Sequence, residues 1–441
     1  MISPSTKKVF RLASVAAAAT VVATVLAGCS SGSSGTTKLD TSAKVTIKVW
    51  TGQADTAEQI IETLAGEFQK LHPNVTVDVS PGASSTDQLL QKISAGFAGD
   101  QYPDVSYAFG SWAGELEASG RTLDISNEIK KSDVNWNDFT AAARGTAQPN
   151  GKKVIGFPAV VDNVGLLYNK TLFDKAGVAY PTANWTWDDF RAAAKKLTDP
   201  ANHIYGYGYS VSGSEATTWQ FWPHLWQHGG AILNDDATKS MFASQAGTDA
   251  LTFLRSMAVD DKSVYLDQTD TKIGPLFDSN RIAMITSGPW ELSSLKTAGT
   301  QYGVAPLPGV DGDHQTVSGP DIWALFDHKD PNRAYWATQF AEWFTSAEQD
   351  ERFNVTLGNL PLRASEAGSE AVKKEAAQFP GYEVFVANSD NVKNTRPTVA
   401  GYAGLSTAIG KAISQVLQGD GEPQAALATA AQAADQALAK K

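Results

Sequence analysis

Alternating apolar positions and helical periodicity follow each other in the first third of the chain. The alternation of Val45–Trp50, Val75–Val79 and Pro103–Phe109 predicts strands, because successive side chains of a strand point to opposite faces. Apolar residues recur every three or four positions over 57–71 and 87–97, which predicts helices. Strands that alternate with helices at this spacing are joined by right-handed crossovers and form a parallel sheet.

The second half of the chain continues this mixture of short apolar strands and amphipathic helices. Thr186 is placed to cap a helix, with Asp189 three residues later, and Asp199 followed by proline would end it. The apolar run Ile282–Thr286 predicts a buried strand. Further helices are predicted over 245–257, 332–344, 404–417 and 423–440. The pattern therefore predicts an α/β fold.

A few polar and aromatic side chains follow the carboxyl ends of the predicted parallel strands. Ligands of open parallel sheets bind outside these ends. The loops there are 51–55 after the first strand and 110–114 after the third. Gln53, Asp55 and Trp112 thus have a topological reason to face a cleft. Each could equally be a solvated loop residue or, for Trp112, part of the core.

The amino-terminal segment has the features of an export signal that ends at the only cysteine, Cys29. Three cationic residues precede an uncharged apolar run, which is too short and too alanine-rich for a membrane span. The step L-A-G-C over 26–29 resembles the bacterial lipobox, in which the cysteine carries lipid. We predict a signal peptide over 1–28, a lipid anchor on Cys29 and a flexible linker over 29–40. An ordinary cleavage site with a chance cysteine is the alternative.

The net charge of −11 argues against nucleic acid and against a polybasic membrane contact as partners. It also makes a strongly anionic ligand less expected. His224 and His228 lie four residues apart and could share one face of a helix as metal ligands. No further histidine or carboxylate lies close to them in sequence, so a structural role is favoured. We expect neither a metal nor a cofactor.

Motifs of known enzyme classes are mostly missing from the sequence. There is no G-x-S-x-G elbow, no P-loop, no H-E-x-x-H and no C-x-x-C. A glycosidase would need two carboxylates roughly 5 to 10 Å apart across a cleft. Asp55, Asp162, Glu291 and Asp321 could supply such a pair, but no local motif selects one of them. We therefore predict a binding protein, and keep a secreted glycan-cleaving enzyme as an alternative.

Aromatic residues form the more specific pattern. Trp219 and Gln220 lie in the segment TTWQFWPHLWQ, in which three tryptophans are interleaved with two glutamines, and Trp290 follows a Gly-Pro step. Flat aromatic rings cover the C–H faces of sugar rings, while Asp, Asn, Gln and Arg side chains bind the hydroxyls. We place Trp112, Trp219 and Trp290 in the cleft. The core is the expected place for Trp50, Trp222, Trp336 and Trp343.

A series of segments in chain order resembles one known family. They are FQKLHPNVTVDV, GDQYPDVSYAF, FPAVVDNVGLLYNKTLFDKAGV, TWDDFRAAAKKL, IAMITSGPWEL, YGVAPLPG and NLPLRASEA. Together they are similar to the extracellular solute-binding proteins of ABC importers, within the sugar-binding family that includes maltose-binding protein. The predicted lipobox agrees, since such proteins are usually lipid-anchored in bacteria without a periplasm.

The resemblance implies a two-lobe periplasmic-binding-protein-like fold with a hinge and an interlobe ligand cleft. The first lobe would take 41–157 plus 320–370, and the second lobe 158–319 plus 371–441. The ligand would be a sugar, with an oligosaccharide favoured, and the partner would be the permease of the importer. The protein would be a monomer, anchored through Cys29 to the outer face of the bacterial cell membrane.

The candidate ligand-binding residues combine the loop, aromatic and family arguments. They are Gln53, Asp55, Trp112, Asp162, Asn163, Trp219, Gln220, Trp290, Asp321, Arg363 and Tyr402. The chain departs from maltose-binding protein in having no basic residue in its first loop, and Trp-Gln at 219–220 where an aromatic pair is expected. A glycerophosphate carrier of the same family is a further alternative. Such a carrier would want several basic residues, for which the sequence offers mainly Arg363 and Arg396.

Overall fold

Strands of the described chain form two large sheets and one small sheet. The described part comprises residues 38–83, 86–213 and 215–439 of a computed structural model. The predicted signal peptide, Cys29 and the linker up to residue 37 lie outside it. The strands are β1 (Val45–Trp50), β2 (Val75–Ser80), β3 (Val105–Ala108), β4 (Gly156–Val160), β5 (Gly165–Asn169), β6 (Tyr207–Ser210), β7 (Val264–Asp267), β8 (Met284–Ser287), β9 (Tyr302–Ala305), β10 (Thr316–Ser318), β11 (Asp321–Leu325) and β12 (Val392–Thr395).

Helices connect most of these strands and cover the sheets. They are α1 (Asp55–Leu71), α2 (Thr86–Gly99), α3 (Ala113–Ala118), α4 (Ala141–Ala147), α5 (Lys170–Ala176), α6 (Trp187–Leu197), α7 (Glu215–Gln227), α8 (Gln245–Arg255), α9 (Ile273–Asp278), α10 (Leu292–Ala298), α11 (Pro331–Phe344), α12 (Ala347–Asp350), α13 (Glu370–Ala376), α14 (Tyr382–Asn388), α15 (Tyr402–Leu417) and α16 (Pro423–Leu438). The predicted capping box of α6 is confirmed. The Thr186 side chain accepts from the backbone of Asp189, and the Asp189 carboxylate accepts from the Thr186 N–H at 2.9 Å.

The first large sheet has the strand order β2-β1-β3-β11-β4. β1 runs parallel to β2 and β3, which confirms the parallel arrangement predicted for the first third of the chain. In β1, Val45, Ile47 and Val49 point into the core while the residues between them are exposed. β11 comes from far along the chain and enters antiparallel between β3 and β4. One side of this sheet thus depends on a long-range pairing.

The second large sheet has the strand order β7-β6-β8-β5-β9. β6 runs parallel to β7 and β8, whereas β5 runs antiparallel to β8 and β9. The predicted buried strand at 282–286 is observed as β8, shifted by one or two residues. The side chains of this sheet pack with α6, α7, α15 and α16 in a separate apolar core. The α/β fold class is therefore confirmed.

Two neighbouring segments connect the sheets. Residues 161–164 lead from β4 to β5, and Gly319-Pro320 leads from β10 to β11. The Ser318 hydroxyl donates to the carbonyl of Asp162 at 2.5 Å, and the Thr316 hydroxyl donates to that of Val164 at 2.6 Å. These bonds fix the connecting segments side by side, which places Asp162 next to Asp321.

Among the described residues, no helix has the length and apolar character that would let it cross a membrane.

Candidate functional site

A cavity of about 520 Å³ opens where segments from both large sheets meet. This volume lies within the range of small-molecule sites in proteins. Its walls come from the loop after β1, the ends of β3 and β4, the first turn of α7 and the segment after β8. The lining residues are Gly52, Gln53, Ala54, Ala83, Tyr107, Phe109, Val160, Asp162, Glu215, Ala216, Trp219, Asp270, Trp290, Asp321, Asn359 and Arg396.

The structure brings five of the predicted residues together in this cavity. Gln53 follows β1, Asp162 follows β4, and Asp321 begins β11. Trp219 lies on α7, and Trp290 follows β8. The backbone of Asp55 begins α1, but its side chain lies outside the part of the chain that the structure describes.

Trp112 and Arg363 lie away from the cavity lining. The Trp112 side chain is only 4 % exposed and packs against Phe109, with ring centroids 4.7 Å apart. It belongs to the first core because the turn that carries it is itself buried. The Arg363 guanidinium donates from Nε to the carbonyl of Thr345 at 3.0 Å and lies 3.9 Å from the Phe139 ring. It ties loops of the first sheet together.

Asn163, Gln220 and Tyr402 also lie behind or beside the lining. The Asn163 amide donates to the carbonyl of Phe385 at 2.9 Å and accepts from Asn388 at 2.8 Å, so it connects two backbone segments. The Gln220 side chain is half-buried on α7 without lining the cavity. The Tyr402 hydroxyl accepts from Trp222 Nε1 at 2.9 Å and donates to Glu215 at 3.2 Å. Tyr402 therefore supports a residue of the lining.

Arg396 is the centre of a buried charge cluster at the cavity wall. Its Nη1 donates to Glu215 Oε1 at 2.9 Å, and its Nη2 lies 3.4 Å from Asp321 Oδ1. The guanidinium carbon lies 4.0 Å from the Trp219 ring and 5.6 Å from the Phe109 ring. Charges of Glu215 and Asp321 raise the pKa of Arg396 although burial alone would lower it. The arginine is thus always charged, and its charge is neutralised by the protein.

Glu215 is fixed by more than the ion pair. The Ser406 hydroxyl donates to Glu215 Oε2 at 2.6 Å, in addition to the bonds from Arg396 and Tyr402. A buried carboxylate needs such donors, because burying an ionised carboxylate without hydrogen-bond partners costs roughly several kcal/mol. The cluster therefore holds the first turn of α7, and with it Trp219, in a defined position.

Asp162 and Asp321 share the buried wall but have unequal partners. Asp321 accepts from the Tyr107 hydroxyl, from the Gly110 N–H at 2.9 Å and from Arg396. Among the described residues, the Asp162 carboxyl accepts a single hydrogen bond, from the Gly319 N–H at 3.4 Å. Burial, and then the charge of Asp321, raise the pKa of Asp162 to about 7. Burial also raises the pKa of Asp321 to about 6, although the charge of Arg396 and the bond from Tyr107 lower it. Because Asp321 has the better donors, we infer that Asp162 is the more readily protonated of the two carboxyls.

The two cavity tryptophans differ in exposure and support. The Trp290 ring is 38 % exposed and lies over the backbone of Gly288. A Cβ added at Gly288 would come within 1.9 Å of this ring, so only glycine lets the ring take its position. Trp219 is half-buried, with one contact on the Arg396 guanidinium. The two tryptophans at the cavity thus come from separate segments, one on α7 and one after β8.

Several lining residues were not among the predicted ones. Tyr107 and Phe109 lie at the carboxyl end of β3, so the loop rule that selected Trp112 could have selected them instead. Glu215 precedes Trp219 by four residues, and this helical spacing places both on one face of α7. Asn359 and Arg396 come from late segments without a local signal. Only the packing of the complete chain places them at the cavity.

His224 and His228 are the two residues that the sequence offered as possible metal ligands. Within residues 38–83, 86–213 and 215–439, no group of three or more His, Cys, Asp and Glu side chains is arranged to hold a metal ion. His224 is buried, and its ring lies against that of Trp187, with centroids 3.9 Å apart and an angle of 32° between the ring planes. Its role is in packing.

A family comparison identifies the architecture. The model of a family described as bacterial extracellular solute-binding protein matches residues 51–351, which is more than half of the chain. A substrate-binding protein from Listeria monocytogenes, solved in complex with cycloalternan, has a TM-score of 0.81 and 26 % identity, with 90 % of this chain and all of that chain covered. The predicted two-lobe periplasmic-binding-protein-like fold is thereby confirmed.

Two further similarities concern different ligands. The maltooligosaccharide ABC transporter solute-binding lipoprotein of Streptococcus pneumoniae is 25 % identical, with 88 % of each chain covered. UgpB from Mycobacterium tuberculosis, in complex with glycerophosphocholine, has a TM-score of 0.80 at 18 % identity, covering 90 % of this chain and 99 % of the other. At that identity the second similarity concerns the fold alone.

Proposed function

The chain belongs to the family of bacterial extracellular solute-binding proteins, and on that premise we propose that it captures a neutral sugar and delivers it to the permease of an ABC importer. As a member of this family it binds its ligand and is not an enzyme. The observation that carries the sugar proposal is the cavity itself. It combines two accessible tryptophan faces with carboxyl, amide and guanidinium groups.

The aromatic pair supports a ligand with flat apolar faces. Trp219 and Trp290 lie on separate segments, and the accessible part of each ring borders the cavity. A sugar ring can stack its C–H face on an indole while its hydroxyls reach Asp162 or Gln53. The relative from Streptococcus pneumoniae and the neighbour from Listeria monocytogenes, whose names refer to a maltooligosaccharide and to cycloalternan, support the same class.

The charge balance of the cavity distinguishes a neutral sugar from a glycerophosphate compound. Even where Asp162 is protonated, the charges of Glu215 and Asp321 outweigh the single positive charge of Arg396. Both Nη atoms of that guanidinium are already bound to carboxylates. A phosphate would therefore meet net negative charge, and it would find no free pair of Nη–H donors to bind in a bidentate manner. A glycerophosphate carrier of this family remains the second candidate, to be tested directly.

Capture would proceed by closure of the two lobes around the cavity. We propose lobe boundaries at 41–157 plus 320–370 and at 158–319 plus 371–441. A ligand shifts an open–closed equilibrium only through the contacts that it makes in the closed state alone. Stacking on Trp219 and Trp290, together with polar contacts of Gln53 from the other sheet, would supply this difference.

We further propose that the mature protein is a monomer held at the outer face of the cell membrane by lipid on Cys29. The L-A-G-C step supports this proposal, as does the lipoprotein from Streptococcus pneumoniae. Metabolic labelling with a fatty-acid analogue should mark the wild-type chain and leave Cys29→Ser unmarked. Equal labelling of both chains would refute the anchor.

Isothermal titration of the signal-free chain tests the ligand class. The panel contains maltotriose, cycloalternan, ribitol and D-tagatose as neutral ligands, and glycerophosphocholine as the phosphodiester. We expect micromolar or tighter binding of a neutral sugar, and no hydrolysis products after prolonged incubation. Glycerophosphocholine binding more tightly than every neutral ligand would establish the second candidate instead.

A further inference from the structure

A second cavity, of about 250 Å³, lies beside the first core, at the far end of α1 from the proposed sugar site. Ala54 lines the first cavity and directly precedes α1, whereas His72 lines the second cavity and directly follows it. The 17 residues of α1 separate the two cavities by about 25 Å. The lining of the second cavity includes Phe68, His72, Asp133, Glu342, Trp343 and Arg363.

Three adjacent aromatic rings contribute to this lining. The centroid of the Phe68 ring lies 4.6 Å from that of His72 and 5.4 Å from that of Trp343. Phe68 is buried, whereas His72 and Trp343 are half-buried. Burial lowers the pKa of His72, so its imidazole adds no positive charge at neutral pH. Aromatic faces, and that of tryptophan above all, attract cations through the negative charge of the ring face.

Two carboxylates add negative charge to the same lining. Glu342 is half-buried, and among the described residues its carboxylate accepts a single hydrogen bond, from Gln339 Nε2 at 3.2 Å. Burial, and then the charge of Asp133, raise the pKa of Glu342, and the charges of Lys131 and Arg363 offset this only in part. The protein therefore compensates the ionised Glu342 poorly. A cation in the cavity would supply the missing positive charge.

Arg363 holds the wall of the second cavity together. Its Nε donates to the carbonyl of Thr345 at 3.0 Å, and its Nη1 donates to the carbonyls of Val134 and Asn135, each at 3.3 Å. Four carboxyl groups lie close enough to act on its charge, namely those of Glu366, Asp138, Asp350 and Glu342. Burial raises the pKa of Glu366 to about 10, and even with this group protonated the carboxylates outnumber the guanidinium. An anion bound at Arg363 would therefore meet a surplus of negative charge.

We propose that the second cavity binds a small organic cation, whose ammonium group contacts the aromatic rings and the carboxylates of Glu342 and Asp133. Its volume is slightly below the range typical of drug-sized ligands, which suits a small head group. A divalent metal ion would need a shell of oxygen ligands, which a lining rich in aromatic rings does not offer. This site is separate from the first cavity and does not depend on the proposed sugar function.

Isothermal titration of the wild-type protein with choline at low ionic strength is the first test. The neutral control is 3,3-dimethyl-1-butanol, which has the shape of choline without its charge. We expect choline to bind with a dissociation constant of about 1 mM or tighter, and the alcohol to bind at least about 10-fold more weakly. Equal affinities, or no binding of choline at about 10 mM, would overturn the proposal.

Carboxylate variants assign the bound choline to the second cavity. We expect Glu342→Gln to weaken choline binding by about 5-fold or more, and Asp133→Asn by about 2-fold or more, because each removes a negative charge from the lining. Glu115→Gln is the matched control and should bind choline like wild type. Glu115 is also half-buried with a pKa raised by burial, but it does not line this cavity.

Tryptophan variants test the aromatic part of the site. We expect Trp343→Leu to weaken choline binding by about 3- to 30-fold, since the strongest cation-binding ring is lost. Trp185→Leu, at a half-buried tryptophan outside the lining, is the control and should not change the affinity for choline. Trp290→Ala should also leave choline binding unchanged, because Trp290 lines the first cavity and not the second.

The outcomes separate the second cavity from the first. If folded Glu342→Gln and Asp133→Asn bind choline like wild type, the inference is wrong. If choline binding is lost in Trp290→Ala instead, choline occupies the first cavity and the inference is wrong as well. Asp133 is exposed, so its variant decides the matter even where a variant at a half-buried position does not fold. Each of these results leaves the sugar function to its own test.

Discussion

Removal of the exposed tryptophan at the cavity is the perturbation with the most direct effect on binding. In Trp290→Ala the ligand would lose one stacking face, while the fold would lose little, because the ring is 38 % exposed. A tryptophan carries up to about 250 Å² of surface, of which this fraction is about 95 Å². At about 25 cal/mol per Å², full coverage by a ligand contributes about 2.4 kcal/mol, and half coverage about 1.2 kcal/mol.

We therefore expect Trp290→Ala to weaken binding of the best neutral sugar by about 8- to 60-fold, measured by isothermal titration. Tyr180→Ala is the matched control. Tyr180 is an aromatic residue of nearly equal exposure, 37 %, that does not line the cavity, so its loss should leave the affinity unchanged. An unaltered dissociation constant in folded Trp290→Ala would refute the stacking role of this residue.

Three further predictions concern the wall of the cavity. Because the folded-state pKa of Asp162 is raised to about 7, the folded chain holds more protons than the unfolded one, so stability should fall as pH rises from about 4 to 7. Thermal melts of Asp162→Asn should show a smaller decline than wild type, by at most about 4 kcal/mol, with the remainder due to Asp321, whose pKa is raised to about 6. An equal decline in both proteins would contradict the buried position of Asp162. Gly288→Ala should displace the Trp290 ring and weaken sugar binding as Trp290→Ala does, measured by isothermal titration. If the folded Gly288→Ala variant binds sugar with wild-type affinity, the close packing of this ring on Gly288 is contradicted. Glu215→Gln leaves the buried charge of Arg396 with one carboxylate partner fewer, so it should lower the free energy of unfolding in urea by about 3 kcal/mol. An unchanged midpoint of the urea transition would contradict this role of the ion pair.

The sequence was a good guide wherever structure is determined by neighbouring residues. The alternation of Val45–Trp50 predicts β1 because a half-buried strand needs this period, and Thr186 with Asp189 predicts the start of α6 because the capping box is local. β11 could not be predicted in this way. It pairs antiparallel with β3 through contacts more than 200 residues apart in sequence, such as Trp323 with Tyr107.

The same distinction explains the candidate site. Gln53 was found because it follows a strand, and strand ends collect ligands in open sheets. Trp290 was found from the aromatic pattern, as a tryptophan that follows a Gly-Pro step. Trp112 satisfied the same rule, but the buried turn that carries it directs the ring into the core. The sequence offered Arg396 only as a basic residue for a glycerophosphate ligand. Its ion pairs could not be predicted, since its partners Glu215 and Asp321 come from elements that are distant in sequence. Local patterns therefore located the cavity, and long-range packing completed it.

A crystal structure of the protein with its best-binding neutral sugar tests the central claim most directly. We predict sugar density in the cavity, with a ring against Trp219 or Trp290 and hydroxyls within hydrogen-bond distance of Gln53 or Asp162. A sugar bound elsewhere on the surface, with the cavity residues unchanged, would contradict the proposed site.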